Sequence, residues 1–417
     1  MRASSNVMMR NDGTGRRMRS FAATMEQAAR IYLKPGKEHS LQRKHPWVFS
    51  GAIGRIEGEP QDGDTVYVYS IKGDSLGTGH YALGSIAVRT FAFEEVQADE
   101  TFWFKKISDA ALLRGQLGFL DNPETNMFRL VHGEGDGMPG CIIDIYGHTA
   151  VIQTHTLGMY RHREAIAQAI VKALPNVVNV YDRGKEKIGQ RSNEKVGSYL
   201  IGQAEGMDGL EHGCRFLIDW EQGQKTGFFI DQRENRKLLG EMSKGKRVLN
   251  TFCYTGGFSI YALRHGALEV HSLDSSQPAL DLAREHASIN GFDERSHKTI
   301  CADAVSYMRD LNESYDIIVL DPPAFAKNVG AKHKAIQAYI RINAAAMRNV
   351  KSGGFLFTFS CSQVIDTKLF RDSVMAAGIQ AGRTMRITHQ LHQPSDHPVS
   401  LFHPEGEYLK GLVIQIL

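Results

Sequence analysis

The residues of this sequence best equipped for chemistry are a cysteine, Cys361, and several acids, each placed where a strand signal ends. Asp274 follows the strand-like Glu269 to Leu273, Asp303 follows Thr299 to Cys301, and Asp321-Pro322-Pro323 follows Tyr315 to Leu320. Cys361 itself follows Gly354 to Ser360. An earlier strand signal, Arg247 to Phe252, runs into Cys253-Tyr254-Thr255-Gly256-Gly257-Phe258, whose glycines let a backbone pass close to a ligand as a helix begins. A carboxylate at Asp274 suits two ribose hydroxyls, and the thiol of Cys361 suits covalent attack. Each has a plainer reading as well: Asp274 as a helix N-cap, Cys361 as a buried thiol at a strand end.

These positions need a frame that collects strand ends. After about residue 202, strand signals alternate with the helical runs Phe258 to His265, Pro278 to Asn290, Val305 to Asp310, Ile336 to Val350 and Lys368 to Met375. Right-handed crossovers between such units predict a mostly parallel sheet in the order 3-2-1-4-5, with ligands at the carboxyl ends of the strands. In that order the strands ending in Asp321 and Cys361 are neighbours. A dinucleotide enzyme also has a glycine turn followed by an acid, but Tyr254-Thr255-Gly256-Gly257-Phe258 lacks the GxGxxG spacing that seats a pyrophosphate.

Before this region the chain reads as two smaller modules. Residues 31–102 hold β-rich segments, Ile31 to Lys34, Thr65 to Ser70 and Ile86 to Phe93, separated by turn signals, which predicts a small β-rich domain. Its Lys34, Arg43 and Lys44 lie close to Trp47, offering cations for phosphates beside an aromatic face for bases. Exposed charge around a buried Trp explains the same residues equally well. Residues 103–201 mix a helical run, Phe102 to Leu120, a glycine-dense turn from Gly133 to Gly140, strands Cys141 to Tyr146 and Ala150 to Thr154, and a helix from Arg161 to Leu174. This predicts a central α+β domain.

Composition excludes other classes. No run among the 417 residues approaches the roughly 20 apolar positions that cross a bilayer. The five cysteines form no CxxC pair and no zinc-finger spacing with histidine, so neither a disulfide framework nor a metal is expected, and free thiols point to the reducing cytoplasm. A net charge of +3 names no partner, but residues 1–30 carry six arginines against two acids. They read as a disordered basic lead, explained by a start at Met18 or Met25 or by an unstructured tail; a transit peptide is the competing explanation.

The segments Asn250 to Phe258, Asp321 to Phe325, Phe359-Ser360-Cys361-Ser362, His45 to Gly51, and Asp396-His397-Pro398 through Gly411 resemble the large-subunit ribosomal RNA cytosine-5 methyltransferase I family. The resemblance covers nearly everything after residue 30. It implies a PUA-type RNA-binding module, a central α+β domain and, over 202–417, a Rossmann-like methyltransferase using S-adenosyl-L-methionine and releasing S-adenosylhomocysteine. Ribosomal RNA is the implied partner, and a homodimer is left open. Carried onto this chain, Asn250, Phe252, Tyr254, Thr255 and Gly256 line the methionine half of the cofactor, Asp274 with Ser275 the ribose, and Asp303 the adenine. The segment from Lys225 through Thr226 to Arg236 supplies a cofactor wall, with Gln232 or Arg233 near the amino-acid carboxylate. Ala324 departs from the family's usual Lys.

Carbon 5 of cytosine is a poor nucleophile, so a thiolate must first add to carbon 6. Cys361 is assigned that attack and Asp321 the ring nitrogen N3. Two other readings compete: an amino-directed methyltransferase gripping an exocyclic nitrogen with Asp321 and Phe325, and a non-catalytic ribosome-assembly factor of the same fold.

Overall fold

The computed structural model describes residues 28–184, 197–204, 208–311, 314–326 and 328–417. The basic lead of residues 1–30 lies almost entirely outside them.

Six strands, β1 (Arg30–Leu33), β2 (Trp47–Phe49), β3 (Ile53–Glu57), β4 (Thr65–Tyr69), β5 (Ser75–Tyr81) and β6 (Ile86–Ala92), form the first sheet in the order β2-β6-β5-β4-β1-β3, with the short helix α1 (His39–Gln42) beside it. Alternation places Ile31, Leu33, Val66, Val68 and Val88 in its core. The central module packs α2 (Glu100–Gln116), α3 (Leu157–Arg161) and α4 (Arg163–Ala173) on a sheet of β7 (Met127–His132), β8 (Cys141–Tyr146), β9 (Thr149–Thr154), β10 (Asn179–Asp182) and β11 (Ser198–Ile201). The Asp99 side chain accepts from the Phe102 N–H and starts α2, which stops at Gln116, earlier than the expected Leu120, because Gly118 turns the chain at φ 78°. The helix expected over Arg161 to Leu174 is two, broken at His162.

A hairpin of β12 (Asp208–Glu211) and β13 (Cys214–Leu217) leads to the last unit, where α5 (Arg233–Met242) precedes β14 (Arg247–Thr251). Then follow α6 (Gly257–Arg264), β15 (Glu269–Asp274), α7 (Gln277–Ile289), β16 (His297–Cys301), α8 (Ala304–Arg309), β17 (Tyr315–Leu320), α9 (Lys332–Asn349), β18 (Val350–Ser360), α10 (Thr367–Ala381), β19 (Met385–Leu391) and β20 (Lys410–Ile416). The sheet order is β16-β15-β14-β17-β18-β20-β19, so its first five strands take the expected 3-2-1-4-5 order and all pair in parallel. Two strands were not foreseen: β20 runs antiparallel between β18 and the edge strand β19.

Both faces of this sheet are covered. Val248, Val270, Ile317, Val319 and Phe357 enter one core with Leu239 of α5 and Ile260 of α6. Their neighbours Leu249, Leu273, Ile318, Leu320 and Leu356 enter the other with Met308 of α8, Tyr339 of α9 and Phe370 of α10. Continuous apolar strands of this kind belong to parallel sheets clothed by helices, which leaves the strand ends as the place for polar chemistry. Among the described residues no helix is long and apolar enough to cross a membrane.

Candidate active site at the carboxyl ends of the parallel strands

The ends of β14, β15, β17 and β18 and the segment before α5 enclose a cavity of about 350 Å³. Asp274, Asp321 and Cys361 all line it, together with Phe252, Tyr254, Thr255, Ser275 and Gln232. The size suits a small-molecule cofactor.

The loop after β14 is shaped for a close ligand. Phe252 and Tyr254 hold φ of 55° and 49°, a left-handed conformation unusual for side-chain-bearing residues, and Gly256 follows at 80° as the cap of α6. A Cβ at Gly256 would stand 3.0 Å from Ala283 Cβ. Asp274 holds this loop: one carboxylate oxygen accepts from the Tyr254 N–H at 2.9 Å and the other from the Ser276 N–H at 3.0 Å. Ser276, not Asp274, caps α7. An ionised carboxylate has about four acceptor positions, so a cavity-lining Asp274 with two backbone bonds keeps capacity for a diol. The residues therefore fit an S-adenosyl group: Asp274 for the ribose, the aromatic walls Phe252 and Phe229 for the adenosine and methionine carbons, and Lys225 as a cation facing the cavity. If Asp274 grips both hydroxyls, Asp274→Ala weakens S-adenosylmethionine binding by roughly 1.5–3 kcal/mol while circular dichroism stays unchanged. Unchanged calorimetric affinity would reduce Asp274 to a loop brace.

At the other wall, Gln232 Nε2 donates to Asp321 Oδ2 at 2.9 Å, and Gln232 is itself oriented by Asn235 Nδ2, which donates to its Oε1 at 2.6 Å. Burial, helped by the nearby negative charge of Asp231, raises the Asp321 carboxyl to about 7. An acid in that range can hold a proton at neutral pH and give it to a ring nitrogen. Burial and Asp321 also raise the Cys361 thiol, while Lys225 works in the opposite direction. Cys361 sits at a prepared turn. Ser362 Oγ donates to Ala326 O at 2.8 Å, joining its loop to the one that begins with Asp321, and Lys410 Nζ donates to Ser362 O at 2.9 Å. Cys253, the rival thiol, also touches the cavity but is 6% exposed and is pushed well up by burial and by Asp274. Phe325 does not line the cavity; its ring packs edge-on against Tyr339 at 4.9 Å.

Several of the residues expected at the cofactor do not line this cavity. Arg233, expected near an amino-acid carboxylate, is fully buried: Nη2 pairs with Asp396 at 2.8 Å and Nη1 donates to Met127 O at 3.2 Å. Thr226 Oγ1 donates to Asp144 Oδ2 at 2.6 Å within a network that includes the bidentate Arg129 and Asp144 pair. Asn250 lies behind the loop and donates to Ser259 Oγ at 2.9 Å. Asp303 is exposed and caps α8 by accepting from the Ser306 N–H. None of these four, nor Gly256, is in the cavity wall. The cations that do line it are Lys225, whose Nζ lies 3.2 Å from Asp231, and Arg236, held bidentately by Glu211. Both stand in the segment singled out by the sequence, but no side-chain period there tells inward from outward. In the first module Arg43 and Lys44 are exposed, with Lys44 Nζ over the Phe93 ring, and Lys34 donates to Gly51 O. Trp47 is half-buried and stands at the domain junction. Its Nε1 donates to Glu134 at 2.9 Å and its ring meets His403 edge-on at 4.5 Å.

Comparison with known proteins places this arrangement. Residues 184–402 match the family described as S-adenosylmethionine-dependent methyltransferase, and residues 31–93 match a PUA-like domain. A ribosomal RNA large subunit methyltransferase I of Alteromonas mediterranea is 41% identical over 93% of this chain and 99% of its own. Another from Vibrio vulnificus is 37% identical over 94% of this chain and 100% of its own. A solved S-adenosylmethionine-dependent methyltransferase of Streptococcus mutans shares the fold, with a TM-score of 0.80 at 23% identity over 93% of this chain and 100% of that one. A methyltransferase solved with S-adenosylhomocysteine superposes with the same TM-score. With relatives matched from the first module through the cavity to the last strands, the chain belongs to the large-subunit ribosomal RNA methyltransferase I family, an S-adenosylmethionine-dependent methyltransferase preceded by a PUA-like domain.

Proposed function

We propose that the protein methylates carbon 5 of a cytosine in large-subunit ribosomal RNA through a covalent bond to Cys361. The observation that carries this reading is one cavity walled by the cysteine, by an acid that keeps a proton near neutral pH and by the Asp274 loop. S-adenosylmethionine, when bound, supplies an electrophilic methyl on sulfur. The Cys361 thiolate adds to carbon 6 of the ring while neutral Asp321 donates to N3, which makes carbon 5 nucleophilic. Carbon 5 takes the methyl as the methyl's bond to sulfur breaks, and a base removes the carbon-5 proton. The bond between carbon 6 and Sγ then breaks to return the thiolate, and N3 gives its proton back to Asp321. Gln232 holds Asp321 in place for this work, and Lys410 holds the loop of Cys361. The packing of Phe325 on Tyr339 favours this route over an amino-directed one.

Mass mapping of modified nucleosides in ribosomal RNA from cells with and without the gene tests the reading. Loss of a 5-methylcytidine from the large subunit is the expected result; a methyl on an exocyclic nitrogen overturns it. RNA binding is assigned to the first module. Replacing Lys34, Arg43 and Lys44 together flattens the slope of log affinity against log salt by roughly 2 if they neutralise phosphates. An unchanged slope would make them ordinary solvated surface. The reaction is set in the cytoplasm, in keeping with the free cysteines of the described residues.

A further inference from the structure

At the junction where Trp47 meets the last domain, three side chains from two domains converge. His45 lies between α1 and β2, while His403 and Glu405 belong to the segment that leads into β20. One donor atom from each lies within 4.8 Å of the others. His45 Nε2 stands 3.5 Å from Glu405 Oε1, and His403 Nε2 stands 3.7 Å from Glu405 Oε2. Ligands at zinc distances of about 2.0–2.1 Å in a tetrahedron lie roughly 3.4 Å from one another, so the three are already close to one coordination sphere.

A second observation points to a ligand. His403 is 3% exposed, yet neither of its ring nitrogens has a hydrogen-bond partner among the described residues. An imidazole buried without a partner is costly, and a cation removes that cost by using one nitrogen directly. Two imidazoles and a carboxylate are borderline-to-hard donors that suit zinc, with a fourth position left for water. Glu134 faces His403 and, through the Trp47 indole, ties the same corner to the central module, adding negative charge just outside the donors.

We propose that His45, His403 and Glu405 form a zinc site that clips the N-terminal module to the methyltransferase domain. Zinc on His45 Nε2 places the imidazole proton on Nδ1, so the 3.2 Å contact accepted there from the Trp47 N–H gives way. The site fixes the angle between the module assigned to RNA binding and the cavity, but it rests on the geometry of the junction alone and stands whether or not Cys361 is the nucleophile.

The test uses the full chain stripped with a chelator, dialysed against buffered zinc and assayed by elemental mass spectrometry, with melting followed in parallel. His403→Phe keeps a ring against Trp47, and Glu405→Gln changes an exposed residue whose loss leaves the core untouched. The parent is expected to take up one more zinc per chain than either variant, and its melting temperature should fall on chelation to that of His403→Phe, which the chelator leaves unmoved. Cobalt in place of zinc should give a spectrum without a sulfur-to-cobalt charge-transfer band. Equal zinc in parent and variants, a melting temperature indifferent to zinc, or thiolate ligation in the cobalt spectrum overturns the proposal.

Discussion

Cys361→Ala is expected to hold S-adenosylmethionine as tightly as the parent and to transfer no detectable methyl group. The separation follows from the architecture: the residues proposed to contact the cofactor stand mainly at the ends of β14 and β15, whereas the thiol stands at the end of β18. RNA carrying 5-fluorocytosine at the target extends the test. The adduct forms and the methyl is added, but fluorine cannot leave as a proton does, so a protein–RNA species should survive denaturing gels and reducing agent with the parent and vanish with Cys361→Ala. Methylation by Cys361→Ala at the parental rate would refute the covalent route. Cys253, the other thiol at the cavity, serves as the control, and Cys253→Ala should retain the adduct.

The second large effect is on stability and comes from a residue that sequence reasoning assigned to the cofactor. Arg233→Met should destabilise the fold by roughly 3–5 kcal/mol, because it leaves the carboxylate of Asp396 buried without its cation. Asp396 is fully buried and keeps only His397 and the Arg129 N–H when Arg233 is removed, and the bond from Arg233 to Met127 O, which ties the last domain to the central module, is lost as well. Well below the melting range, the affinity of the folded variant for S-adenosylmethionine should match that of the parent. A selective loss of affinity with normal denaturant unfolding would restore Arg233 to the cofactor. Against burial, which pushes it up, His397 and Arg233 together with the hydrogen bonds from His397 and the Arg129 N–H hold the Asp396 carboxyl far below its ordinary range. A depressed carboxyl adds stability that is present above the unfolded value of about 3.9 and is lost as pH falls below it, so the parent should weaken in acid more steeply than Arg233→Met.

These two residues show what a sequence can and cannot disclose here. Asp274, Asp321 and Cys361 were legible because a βαβ pattern predicts where strands end, and strand ends in such sheets face a common ligand. Arg233, Thr226, Asn250 and Asp303 stand within the same segments, but whether a polar side chain turns to a cavity or into an ion pair depends on partners such as Asp396 and Asp144 that are remote in the chain. The edge strand β19 escaped notice because five of its seven residues are exposed and its apolar alternation, Met385 and Ile387 with Leu391, is broken at His389. The His45, His403 and Glu405 cluster was invisible for the same reason as Arg233: its members meet only when the first and last domains dock.

The position of β20 sets an order on how the protein is made. This strand lies between β18 and β19, pairs Lys410 opposite Ser360, and sends the Lys410 ammonium to the carbonyl of Ser362 behind Cys361. While the ribosome is still translating residues before 410, strands β14 to β18 can assemble and their aromatic loop can form, yet the turn bearing the cysteine has only the Ser362 bond to Ala326 and lacks the tether from Lys410. The turn of Cys361 therefore gains its second hold last, after strands β14 to β18 are built. A chain stalled or clipped before residue 410 should be a folding intermediate with an unpaired β18 edge, prone to pair with other chains and a natural substrate for chaperones and proteases.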